Sequence, residues 1–241
     1  MGGAIRAFLA RYFYLAMAVL LAWIVGYGFS HTIEENLFHP SFARPVVLYV
    51  HAAVFGGWMV LLLIQTGLVA LARKQSWHRR LGWLGVVMAC VMPVLGTWSA
   101  ISMTHLRYGF GDTDDVAFLI LAFNDMAAFA GLMAAAILLR GRQSEAHKRL
   151  VLMATCVICV AALTRFPPWL LPVPENVVWP YYLCIDILIA LGLVRDLIVQ
   201  RRPHWVYLRV FPLIIILQAI ANALYMTRPA PYMALMLKLV G

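Results

Sequence analysis

Of the seven histidines in this 241-residue chain, four stand where an imidazole nitrogen could hold iron. His78 lies in "WHRRLGW" (77–83) and His147 in "AHKRLVL" (146–152), segments that share the pattern H-[RK]-R-L at the start of an apolar stretch. Neighbouring cations favour a neutral imidazole, with a ring nitrogen free to ligate iron or accept a hydrogen bond. The same residues also fit a simpler part: basic and amphipathic side chains at a cytoplasmic interface fix helix ends and touch lipid phosphate. His51 is placed differently. It falls about 8 Å inside an apolar run, at 1.5 Å per helical residue, a depth that admits an imidazole only with a partner or a task. With 3.6 residues per turn, His51, Phe55, Trp58, Leu62 and Gln65 form one stripe, expected to face the interior. His105, at the far end of the next apolar run, returns to a similar depth. Two neutral histidines on neighbouring helices are what b-type haem needs. The alternative for His51 is one buried histidine bonded to Asp, Asn or a backbone carbonyl.

Two carboxylates also enter apolar runs: Asp125, beside Asn124, and Asp186. A charged carboxylate at a bilayer centre costs about 2.5–3.5 kcal/mol on insertion scales, so Asp125 is expected either to be protonated or to face a partner. His51, Arg165, Gln218 and Asn222 are the candidates, the last two lying i, i+4 on one helix face. The expectation is a polar pocket in the outer half of a bundle, drawn from Gln65, Asn124, Asp125, Arg165, Asp186, Gln218 and Asn222. It could serve as a proton or ion route, as a quinone or small-ligand site, or as interhelical hydrogen bonding alone.

The elements that must position these groups are apolar. The chain is 64% hydrophobic and 12% charged, with a mean hydropathy of +0.86, against roughly 25% charged in an ordinary soluble domain. A span needs about 20 apolar residues, and seven segments qualify: 12–30, 46–72, 81–104, 116–139, 150–166, 181–199 and 207–227. The reading is one all-α domain over 1–241, an integral membrane bundle of seven helices built from hairpins.

Fourteen of the 19 basic residues fall at one set of loop ends, leaving Arg44, Arg107, Arg165, Arg228 and Lys238 on the other. The positive-inside rule then places the N-terminus inside and the C-terminus outside, in a bacterial inner membrane. Acids lean outward, with Glu34, Glu35, Asp112, Asp114, Asp115 and Glu175 in outer loops and only Glu145 and Asp196 near the inner face. The net charge of +9 is spread over these loop ends, which argues for anionic lipid headgroups and against nucleic acid.

Several classes drop out. The lysines are Lys74, Lys148 and Lys238, none within a span, so a retinal Schiff base is excluded. No H-x-x-x-H, Walker or dinucleotide motif occurs, and no metal is expected beyond possible haem iron. Cys156 and Cys159 lie inside an apolar run and read as helix packing rather than a redox or zinc pair.

The stretch "HAAVFGGWMVLLLIQTGLVALARKQSWHRRLGWLG", with "AHKRLVLMATCVICVAALTRF" and "RRPHWVYL", resembles a family of uncharacterised bacterial multi-spanning membrane proteins over roughly 51–207. His51, His78, Arg79, His147, Lys148, Arg149 and Arg165 are the positions that align to it. The resemblance implies the architecture and no activity. A looser similarity is to membrane b-type cytochromes, whose adjacent spans hold stacked haems; here no single span carries two histidines placed to ligate haem at both faces. The leading expectation is haem b held by His51, His105, His78 and His147, serving membrane electron transfer. Two alternatives stay open: an accessory or assembly subunit docked on partner subunits of a membrane complex, and a proton-coupled transporter or small-ligand receptor.

Overall fold

A computed structural model of the chain describes residues 2–174 and 177–241. Among the described residues there are nine α-helices and no strand: α1 (Gly2–Ser30), α2 (Val46–Ala70), α3 (Gln75–Tyr108), α4 (Asp114–Leu139), α5 (Ser144–Ile158), α6 (Val160–Leu163), α7 (Trp179–Gln200), α8 (Trp205–Thr227) and α9 (Ala230–Val240). Six segments are long and apolar enough to cross a membrane: α1, α2, α3, α4, α5 continued through α6, and α8. The expected seventh, α7, has the length but carries Asp186, Arg195 and Asp196. Its charge, not its size, separates it from the six.

Several boundaries move. The first helix begins at Gly2 rather than at residue 12, and the helix expected to end at Phe166 closes at Leu163, ahead of the Pro167–Pro168 pair. α3 runs well past both ends of its expected span, so His78 and His105 sit on a single helix, about 40 Å apart at 1.5 Å per residue. The sequence reading had placed no two of the four histidines on one span. His147 likewise lies in the first turn of α5, not in a loop. The outer-loop acid Glu175 lies outside the described residues.

The α5–α6 segment forms the centre of the bundle: 78% of its most apolar stretch is buried, against 22% for α2, α3 and α8. A helix apolar on every face is stable only when neighbours or lipid surround it, and here the neighbours do. Trp58 of α2 donates its indole N–H to Thr155 of α5 at 3.2 Å while its ring meets Phe129 of α4 edge-on at 5.6 Å. α1 approaches α6 so closely that a Cβ on Gly28 would overlap the Ala162 carbonyl. This leaves only glycine room at that crossing. The stripe from His51 is turned inward, with Trp58 and Leu62 buried and His51, Phe55 and Gln65 half-buried.

α9 is an addition that the apolar spans do not announce. It folds back on α3 and α4, where Met236 and Val240 pack with Val116 and Leu119, and the Tyr232 hydroxyl donates to the Ala117 carbonyl at 2.6 Å.

Candidate functional site

His78 and His147 lie within electrostatic range of each other, and His51 and His105 each have their own partners. His147 opens α5 with its Nδ1 against the Ala136 carbonyl of α4 at 2.9 Å. A carbonyl only accepts, so the neutral ring carries its proton on Nδ1 and leaves Nε2 free. His78, near the start of α3, faces the backbone carbonyl of Gln65 and stands within electrostatic range of His147. Its Nδ1 and the Gln65 Oε1 are buried without hydrogen-bond partners. Gln65 therefore belongs with the inner imidazoles rather than with the outer pocket.

His51 stacks on Phe55, with ring centroids 4.0 Å apart, beside the Leu95 carbonyl and within range of the Arg165 guanidinium. Its Nδ1 is buried without a partner. His105 is exposed at the outer end of α3 and turns its Nδ1 onto the Val240 carbonyl of α9. No hydrogen bond links His51 to His105 among the described residues, and each ring has its own neighbours.

The expected outer pocket divides. Asp125 is 7% exposed and receives the Asn124 amide and the Tyr182 hydroxyl of α7, each at 3.2 Å. Asp186 meets Gln218 of α8, whose amide nitrogen, turned toward the carboxylate, lies 3.2 and 3.3 Å from its oxygens. Asn222 keeps a buried Oδ1 without a partner. Arg165 lies over the Phe29 ring at 4.5 Å and donates to the Ala161 carbonyl. Neither His51 nor Arg165 hydrogen-bonds to Asp125, although both were candidates for it.

A second cluster, at the end of the bundle where α1 begins, was not expected. Arg149, read from sequence as an interfacial cation, is fully buried and grips Asp196 of α7 with Nε to Oδ2 at 2.7 Å and Nη2 to Oδ1 at 2.6 Å. Arg195 adds Nη1 to the same carboxylate at 3.0 Å. Glu145 takes Arg149 at 2.7 Å, Lys148 at 2.5 Å and the Gln200 amide at 3.1 Å. The cue in the sequence was Asp196 itself, an acid beside Arg195 in an otherwise apolar helix on the side crowded with cations. Burial pulls His204 below the ordinary histidine value, reinforced by the Arg149 guanidinium. Its neutral Nδ1 accepts the Val206 N–H at 3.3 Å and caps α8.

Among the described residues no group of three or more His, Cys, Asp or Glu is arranged to hold a metal ion on its own. No family model, no curated protein and no solved structure matches the chain, so its chemistry has to be read from its own side chains.

Proposed function

We propose that this protein is a bacterial inner-membrane electron carrier that holds haem b near its inner face between His78 and His147. The observation that carries the reading is the His147 Nδ1 contact with the Ala136 carbonyl at 2.9 Å, beside a second imidazole. Iron-ligating histidines commonly give their other N–H to a carbonyl or carboxylate, which sets the tautomer and aims the free nitrogen. Buried polar atoms without partners are uncommon in folded proteins. His78 Nδ1 and Gln65 Oε1 therefore suit a ligand-bearing site better than a packed one. Haem b, when bound, supplies a one-electron couple; the chain supplies the imidazoles.

In this reading α7 is a seventh span. Asp196 is paired inside the bundle with Arg149 and Arg195, and Asp186 is hydrogen-bonded by the neutral Gln218 amide. A paired charge makes a helix far cheaper to insert than a bare one. The exposed rim of Arg73, Lys74, Arg79 and Arg80 with Trp77 and Trp83 suits anionic headgroups at the inner face. The test is the absorbance of protein purified from haem-replete cells: a Soret band with a reducible α band is expected. A spectrum free of both removes the proposal.

A further inference from the structure

The outer half carries a carboxyl group for which the redox reading has no use. Asp125 lies near the middle of α4 and faces neutral groups, the Asn124 amide of its own helix and the Tyr182 hydroxyl of α7. Of the cations assigned to the outer side, Arg107 pairs with Asp115 and Arg228 with Asp114, while Arg165 lies over Phe29 and Arg44 meets Asn36. Among the described residues no Lys, Arg or His of the packed helices α3, α5, α7, α8 or α9 forms an ion pair with Asp125. One turn along α7 from Tyr182 comes Asp186 with its Gln218 partner, the nearest acid on the same helix. On the other side of Tyr182, its neighbour Tyr181 and Val178 line an outer cleft of about 300 Å³ whose rim holds Asp114 and Asp115. Tyr182 does not line that cleft itself; it is buried one helical turn beyond Val178, with its hydroxyl on the Asp125 carboxyl.

We propose that Asp125 is a proton-exchange site loaded from the outer side through the Tyr182 hydroxyl. On uptake, the Tyr182 O–H bond breaks as an O–H bond forms on Asp125 Oδ1, and the phenol oxygen takes a proton from water entering by the cleft. The carboxylate becomes a carboxylic acid, and Tyr182 ends as it began. Release is the reverse. No oxidant, metal or cofactor takes part, so the site stands whether or not haem binds at the inner end.

Infrared spectroscopy of the full chain in lipid nanodiscs reads this directly, because a protonated carboxyl has its own C=O stretch and that band shifts when H₂O is exchanged for D₂O. A band that disappears in Asp125→Asn is expected, with a D₂O shift slowed at least about tenfold in Tyr182→Phe. If Asp125→Asn does not fold by circular dichroism, Asp125→Glu must move the band instead. The absence of a carboxylic acid band, a band indifferent to either Asp125 substitution, or equal exchange rates in wild type and Tyr182→Phe would overturn the proposal.

Discussion

At the inner end of the bundle, Arg149 and Asp196 are both fully buried and meet through two parallel contacts of 2.6 and 2.7 Å, while in the outer half the buried Asp125 meets only an amide and a phenol. Both sites place ionisable groups in an apolar interior, where an unmatched charge is costly. The inner site answers with opposite charge and paired hydrogen bonds between Arg149 and Asp196, which ties α5 to α7 and holds the groups in one state. The outer site answers with neutral partners, which leaves its carboxyl free to change state. Paired burial is architecture, and unpaired burial is a place for exchange.

The largest expected effect breaks the inner pair. Asp196→Ala leaves Arg149 buried without its carboxylate and is expected to cost about 3–5 kcal/mol, read as a loss of folded protein in detergent unfolding. Replacing both partners, Arg149→Met with Asp196→Leu, is expected to recover only part of that loss, since Arg195 is then buried without its carboxylate; adding Arg195→Met is expected to recover more. Asp125→Asn, which keeps an acceptor for Tyr182, is expected to cost about 1 kcal/mol or less. If Asp125→Asn proved as damaging as Asp196→Ala, the contrast between the two ends would fail.

Next comes the α1–α6 crossing. Gly28→Ala sets a methyl against the Ala162 carbonyl, and because backbone yields less readily than a side-chain tip, about 1–3 kcal/mol is expected. Gly192→Ala presses on the Tyr207 hydroxyl, a movable group, and is expected to cost less in the same assay.

The smallest effect is one of pH. His204 sits below the ordinary histidine value of 6.5 and must be neutral at Nδ1 to cap α8. Its contribution is therefore complete above that value and is lost as pH falls toward the folded value. The expected loss is about 0.5 kcal/mol, at the low end for a helix cap. His204→Asn, a capping residue without that titration, should flatten the acid limb of the stability curve; an unchanged limb would show that other groups set it.

How much of this was legible follows from what a helical pattern encodes. The stripe from His51 to Gln65 could be read because 3.6-residue spacing sets direction, and Trp58 and Leu62 are buried as that direction requires. Direction does not name the neighbour, however. His51 and Asp125 each turn inward on their own helices, yet His51 meets the α3 backbone and Asp125 meets α7. Arg149 was hidden by its position: a cation at an inner loop edge also suits lipid phosphate, and only the placement of Asp196 on a neighbouring helix turns it inward. α9 was illegible because eleven residues are too few to span a bilayer, and its docking on α3 and α4 is decided by tertiary contacts.

The most direct test is the reduced-minus-oxidised difference spectrum of three haem-replete proteins: wild type, His147→Ala and His105→Ala. An α band is expected in wild type and in His105→Ala, because His105 lies about 40 Å along α3 from His78, and none in His147→Ala. A band that survives His147→Ala unchanged, or that is missing from wild type, would contradict the inner haem site.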